Sequence, residues 1–376
     1  MKRTRVGLTC LAVALAFAAP AIACSTFLLR AEGGPVFGRN TDALPMPGLL
    51  IVNKRGISKR AISWGVIGPG DPTQPTATWT SRYGSVTATV IGREFPDGGM
   101  NEAGLIVEEM TLLDSRFPRR AGRPTISQVQ WLQYLLDTKA TVQEVVDDVD
   151  RFDLTGWHWH FMVADKSGDC ATIDFVEGRA DITRGSLAGC VLTNDSAQRS
   201  AEHLAALSAG GAASAEPEGP SSLARYVRAV RRLNAYESRS APDRIAFAFG
   251  VLSDVAQRPN TIRSFVHDPV EHRLYFRTHE NRGVKYLDLD DLDFDPSSPA
   301  LMLDIETLGI GDVRGRLQPY DKAVNRNVVG KFFEIVVHGV PIGVETLNKE
   351  LADAGMSESQ FLTRLADYPD APDAVP

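Results

Sequence analysis

The residues with the most chemical promise meet at one junction in the chain. Cys24 follows Ala21-Ile22-Ala23, a small-x-small triplet. Upstream lie three basic residues (Lys2, Arg3, Arg5) and an uncharged, mostly apolar run from Val6 to Ala19. A basic start, an apolar middle and small residues at the end form the pattern of a cleaved export signal. The apolar run is short of the roughly 20 residues that a membrane-spanning helix needs. A cut after Ala23 makes Cys24 the first residue, carrying a thiol and a free α-amine on one carbon. Three readings then stand. The thiolate attacks, with its own α-amine as base; or the sulfur is acylated, as in a lipoprotein, although Ala21 stands where Leu is usual; or cysteine and cleavage site coincide by chance.

The next informative run is Gly38-Arg39-Asn40-Thr41-Asp42, one short hairpin away. A cation beside a thiol favours the thiolate, and a carboxylate beside an α-amine holds its proton. Taken alone, Arg39 and Asp42 read as a surface pair in a turn. Trp157-His158-Trp159-His160 puts two histidines on one face of a strand. No third ligand follows at local spacing, whereas zinc sites want three or four, so no metal and no cofactor are expected. Cys170 and Cys190 could pair in an oxidising compartment, but free, buried strand thiols are the favoured reading. The basic stretch Arg225–Arg232 reads as internal pairing rather than an anionic partner's site.

These residues need a scaffold. The chain has 376 residues, 43% hydrophobic and 23% charged, with net charge −7. Those values exclude a disordered chain, a fibrous repeat and a polytopic membrane protein. Removing residues 1–23 removes three basic side chains and no acidic one, which takes the charge to −10. That balance leaves no electrostatic footprint for nucleic acid. Strands are expected at 25–30, 35–39, 49–53, 60–67, 85–92, 104–110 and 189–193, with a hairpin over 158–164 and 170–176 and later strands at 262–267 and 272–277. Helices are expected at 126–136, 141–151 and 221–235, with Thr141 as an N-cap and Glu144 at the capping-box position. Residues 68–76 and 208–220 read as loops. A single mixed α+β domain fits this order. Residues 334–376 form an extension with one helix at about 344–366 and an Asp- and Pro-rich end expected to fray.

The sequence resembles the choloylglycine hydrolase and penicillin V acylase family of N-terminal-nucleophile hydrolases. The resemblance rests on Cys24-Ser25-Thr26-Phe27, the GRNTD run, Trp79–Val86, Asp97–Leu112, His160–Gly178, Val191–Ser196, Ser221–Ala229, Leu274–Arg282 and LDIETLGIGDV onward to about Phe333. It implies an αββα sandwich over residues 24–333, between the signal (1–23) and the extension (334–376). It also implies roles. Cys24 would be the nucleophile. Arg39 would sit against the thiol and the substrate carbonyl region. Asp42 would hydrogen-bond the α-amine and thiol. Asn194 would offer its side-chain N–H to the oxyanion, and Arg225 would complete the polar network. The backbone N–H of Thr111 would line the oxyanion hole.

Thr111 is a departure, because bile salt hydrolases carry Asn and some penicillin acylases Tyr at that place. A backbone donor survives the change, while substrate preference does not follow from the resemblance. The expectation is a periplasmic or secreted amidase that hydrolyses the linear C–N bond of an N-acyl small molecule: penicillin V, an acyl homoserine lactone or a bile-salt-like conjugate. The signal and Thr111 disfavour a bile-salt specialist, and a long acyl chain is preferred. Family members are often tetramers. The rival readings are a lipid-anchored binding protein with an inactive hydrolase fold and a cysteine dipeptidase.

Overall fold

The computed structural model describes residues 23–62, 75–118, 122–156, 158–185, 190–209, 219–236, 243–337, 351–352, 355 and 357–368. Two large sheets carry the chain. In the first, seven strands run in the order Val191–Leu192, Ala23–Leu29, Val36–Asp42, Thr261–Asp268, Arg273–Thr278, Lys285–Asp288 and Gly311–Asp312. In the second, nine strands run in the order Arg179–Arg184, Cys170–Val176, Trp159–Ala164, Ile106–Thr111, Gly98–Asn101, Ser85–Thr89, Leu49–Asn53, Leu301–Asp304 and Gln318–Pro319.

Strand alternation sorts the side chains into layers. Leu28, Phe37, Phe265 and Phe276 of the first sheet meet Val52, Met100, Met110 and Met162 of the second in one buried cluster between the sheets. On the opposite face of the first sheet, Phe27, Leu29, Val36 and Val266 pack under helices Ser222–Asn234 and Arg244–Asp254. On the far face of the second, Val107, Phe161 and Phe175 pack under helix Gln128–Thr138. Trp131 of that helix is fully buried and stands edge-on to Phe161 and Phe175, with ring centroids at 4.9 and 6.0 Å. Such aromatic pairs are worth about 0.5–1.5 kcal/mol each beyond the area they bury. The layers are helix, sheet, sheet, helix: the αββα sandwich.

Several segments differ from the sequence reading. Residues 58–60 form the short strand Ser58–Arg60, and the rest of that expected strand, like most of the 68–76 and 208–220 loops, lies largely outside the described residues. Helices Ala197–Ala209, Arg244–Asp254 and Lys322–Phe332 were not anticipated. Thr141 caps its helix as expected, but Glu144 reaches back to Ala140 N rather than to the cap's own N–H. Cys170 and Cys190 correct the free-thiol expectation. They form a disulfide, with Cα atoms 6.5 Å apart, because the Cys170 strand and the segment entering Val191–Leu192 face each other across the gap between the sheets.

The C-terminal extension packs where it is described. Helix Glu358–Asp367 carries a complete capping box at Ser357 and Gln360. Phe361 and Leu365 join the cluster under the nine-stranded sheet, and Asn325 Nδ2 donates to the Ala366 carbonyl at 3.0 Å. The Tyr368 hydroxyl donates to the Arg60 carbonyl at 2.9 Å. The Asp- and Pro-rich end and residues 1–22 lie outside the described residues. Among those described, no helix is long and apolar enough to cross a membrane.

Candidate active site

Cys24 is the second residue of the strand Ala23–Leu29. It pairs with Thr41, and Ala23 pairs with Asp42, so both lie at the same end of the seven-stranded sheet. The side chain turns toward the gap between the sheets and is 1% exposed. Its main-chain N–H donates to Asn194 Oδ1 at 3.0 Å. Burial pushes the thiol up to about 12; the Arg39 charge and the Asp42 main-chain N–H oppose this, while Glu109 and Asp42 add to it. The thiol is therefore neutral while residue 23 precedes it. Cys24 is the free cysteine among the described residues.

Asn194 and Arg225 converge on the same point from different elements. Ser221 caps the helix Ser222–Asn234, its side chain accepting from Ala224 N, which puts Arg225 in the first turn. A cation there opposes the helix dipole. Its partners offset that cost: Arg225 donates to the Cys24 carbonyl at 2.6 Å, to Ser25 Oγ at 2.6 Å, to Asn194 Oδ1 at 2.7 Å and to the Pro220 carbonyl at 3.2 Å. Two acceptor bonds on Oδ1 fix which way the Asn194 amide faces, so its Nδ2 donates to the Thr111 carbonyl at 2.9 Å. The Leu112 N–H donates to the His158 carbonyl, so Leu112 faces the strand Trp159–Ala164 and Thr111 faces the other way. In an antiparallel strand one residue's N–H and C=O point to the same side. The Thr111 N–H therefore points to the side on which Asn194 lies.

Arg39 and Asp42 stand differently from the expected arrangement. Arg39 is buried between the sheets on the same side as the thiol. Its terminal nitrogens donate to Glu108, to Glu109 at 3.0 Å and to the Asp97 carbonyl at 2.5 Å, while Nε has no hydrogen-bond partner. It acts on Cys24 as a nearby charge. Gly98 leaves the room this needs, since a Cβ there would collide with the Glu108 carboxylate. Burial pushes Glu109 up to about 8 and Asp97 to about 6, with the Arg39 charge opposing both. The Asp42 carboxylate lies on the other face of the sheet, because strand alternation sets it opposite Thr41. It accepts from the Thr261 hydroxyl and from Gln257 Nε2 at 3.1 Å, and burial pushes it up to about 6. What reaches the thiol from Asp42 is the main-chain N–H, not the carboxylate.

The structure adds supports that spacing did not reveal. The strand begins at Trp159, so His158 lies outside it and stays exposed, beside Arg116 and the Ser115 carbonyl. His160 is fully buried: Nδ1 lies 2.8 Å from Asp174 Oδ1 and Nε2 2.8 Å from the Thr193 carbonyl. A carbonyl only accepts, so Nε2 carries a proton. Asp174 also accepts from Ala197 N at 2.7 Å, and Ser222 Oγ accepts from Asn194 N at 2.9 Å. Asn194 is thus gripped on both sides in sequence. The WHWH run holds one half of that grip, but its second half, Asp174, sits on the neighbouring strand, where spacing does not reach.

No family model matches the chain. It is 33% identical over 128 residues to a penicillin V acylase of Pectobacterium atrosepticum, a match covering 29% of this chain. The chain spans 34% of that relative's length in the match. Among solved structures, the penicillin V acylase of Agrobacterium tumefaciens superposes with a TM-score of 0.68 at 26% identity, covering 79% of this chain and 98% of that one. A conjugated bile acid hydrolase of Clostridium perfringens superposes at 0.62 and 16% identity, over 77% of this chain and 99% of that one, which shows a shared fold. Sequence motifs and layer order agree with these likenesses: the chain has the fold of the N-terminal-nucleophile hydrolases and is similar in sequence to penicillin V acylases.

Proposed function

We propose that this protein is an exported amidase that hydrolyses the linear C–N bond of N-acyl small molecules, with penicillin V, acyl homoserine lactones and bile-salt conjugates as the candidate class. The observation that carries this reading is the convergence of Asn194 and Arg225 on the main chain of Cys24 at the sheet end. In this reading, removal of residues 1–23 turns the Cys24 peptide nitrogen into an α-amine. Free α-amines titrate near ~7.7–8.0 and free thiols near ~8.5; burial holds the Cys24 thiol higher, and the protonated amine created beside it by the cut, together with the Arg39 charge, stabilises the thiolate. The amine takes the thiol proton and the thiolate attacks the amide carbonyl. The Thr111 N–H and the Asn194 amide receive the oxyanion; one such donor lowers the barrier by roughly 3–4 kcal/mol in a dry site. The amine then protonates the leaving nitrogen as the C–N bond breaks, and a thioester remains on Cys24. Water, deprotonated by the same amine, releases the acid.

The test has two parts. Intact mass of the exported protein should equal residues 24–376 without an adduct; a diacylglyceryl group on Cys24 overturns the reading in favour of an anchored protein. A panel of penicillin V, acyl homoserine lactones of several lengths and glycocholate should give turnover that C24S abolishes. Wild-type rates in C24S remove the nucleophile assignment.

A further inference from the structure

A cavity of about 160 Å³ opens between the C-terminal end of helix Arg244–Asp254 and the strands Thr261–Asp268 and Arg273–Thr278. Leu252, Ser253, Ser264 and Arg277 place it on the helix-facing side of the seven-stranded sheet. The Cys24 thiol faces the opposite side, between the sheets. Four arginines line it: Arg258, Arg263, Arg277 and Arg282. The run Leu274–Arg282, to which the catalytic reading assigns no task, supplies two of them.

The arginines are held in different ways. Arg277 is fixed, donating to Ser253 Oγ at 2.9 Å and the Phe249 carbonyl at 3.2 Å with its guanidinium 4.8 Å from the Phe249 ring centroid. Burial and the Arg258 and Arg282 charges pull Arg277 below the usual arginine range. Arg258 and Arg282 are exposed at the rim, and among the described residues neither forms an ion pair. Arg263 lies two residues before Phe265 on its strand, so its side chain faces the gap between the sheets, where it donates to the Met46 carbonyl and pairs with Glu306 Oε1 at 3.8 Å. Arg258, Arg277 and Arg282 are the ones that gather like charge around the open space, and among the described residues none of the three has a carboxylate partner.

We propose that this cavity binds a small oxyanion of the phosphate or sulfate class, at a site separate from the thiol. The chemistry fits: guanidinium groups donate in a fork that matches tetrahedral oxyanions. The site touches the catalytic end through one residue. Thr261 lines the cavity and its hydroxyl donates to Asp42.

The test is calorimetric titration of the folded protein with inorganic phosphate against chloride at matched ionic strength, since surface attraction is screened alike in both. A saturable isotherm near one phosphate per chain is expected. R258Q and R282Q, both at exposed positions, should each weaken it about three- to tenfold, and the double variant about thirtyfold or more. R277Q should abolish it, with a thermal melt to show that the chain is folded. Absence of saturable heat, or an unchanged isotherm in the double variant, overturns the proposal. So does phosphate that raises KM for the acyl substrate in strict competition, because the cavity would then be the substrate's own anion pocket. These readouts do not require C24S or any turnover, so they stand or fall apart from the amidase reading.

Discussion

Asn194 carries two kinds of bond on one side chain, and Asn194→Asp separates them. Oδ1 accepts from Cys24 N at 3.0 Å and Arg225 at 2.7 Å, whereas Nδ2 donates to the Thr111 carbonyl at 2.9 Å. An aspartate keeps both acceptor bonds and strengthens the one to buried Arg225. It loses the only donor and sets a carboxylate oxygen against the Thr111 carbonyl. The lost bond and the facing oxygens cost roughly 1–3 kcal/mol of stability, partly offset by the charge now paired with Arg225, so the variant should fold. The effect on chemistry should be larger. If Nδ2 serves the oxyanion, its removal raises the barrier by about 2.7–4 kcal/mol, or about 10²–10³ in kcat. KM should move little, because the donor acts on charge that develops after binding. Asn194→Ala also strips the acceptor and leaves Arg225 short of a partner, so it should lose stability as well as rate. Steady-state hydrolysis of the best substrate in the panel, run beside thermal melts, measures both. A folded Asn194→Asp with kcat within about fivefold of wild type refutes the donor role.

Three further outcomes follow from the same geometry. Glu109, pushed up to about 8, is protonated in the folded protein at pH values where the unfolded chain has ionised it. Its raised value means that native stability falls as pH rises from about 4.5 through 8. Glu109→Gln should therefore match wild type at pH 4, gain stability progressively to pH 8 with a ceiling of about 5 kcal/mol, and hold that gain above it; urea unfolding across this range checks the sign, and a constant offset at all pH values contradicts it. His160→Gln should lower kcat about ten- to hundredfold through misplacement of Asn194, with KM within about twofold; a rise in KM with unchanged kcat removes His160 from the positioning of that residue. Joint replacement of Cys170 and Cys190 by Ser opens a loop between residues 20 apart in sequence. The loop-closure estimate is about 3 kcal/mol, or about 4 °C in Tm for a chain of this size, and an unchanged melting temperature contradicts it.

Short-range patterns carried much of this protein in the sequence. Strand 49–53 matches Leu49–Asn53, and helix 221–235 matches Ser222–Asn234, because an apolar strand run and a basic amphipathic helical run are local signals. The helix Arg244–Asp254 escaped notice: it is apolar on most of its surface and lacks an acidic first turn, so periodicity alone did not mark it. The resemblance named Cys24, Arg39, Asp42, Thr111, Asn194 and Arg225, and the structure brings all six to one end of the sheets. Which atoms they present was not legible. Whether Asp42 faces the thiol or Thr261 depends on strand parity and on Gln257 arriving from 215 residues away.

The sequence by itself determined the candidate nucleophile, since Cys24 stands at a junction defined by its neighbours in the chain. It determined the mixed α+β class too, through the order of its strands and helices, while the αββα layering followed from the family resemblance. Tertiary structure alone decided the pairing of Cys170 with Cys190, the commitment of Arg39 to two glutamates, and the meeting of Arg225 with Cys24 across 201 positions. Hydrogen bonds act over about 3 Å and follow strand parity and helix face. Such contacts are set by how the sheets stack, and spacing along the chain carries no record of that.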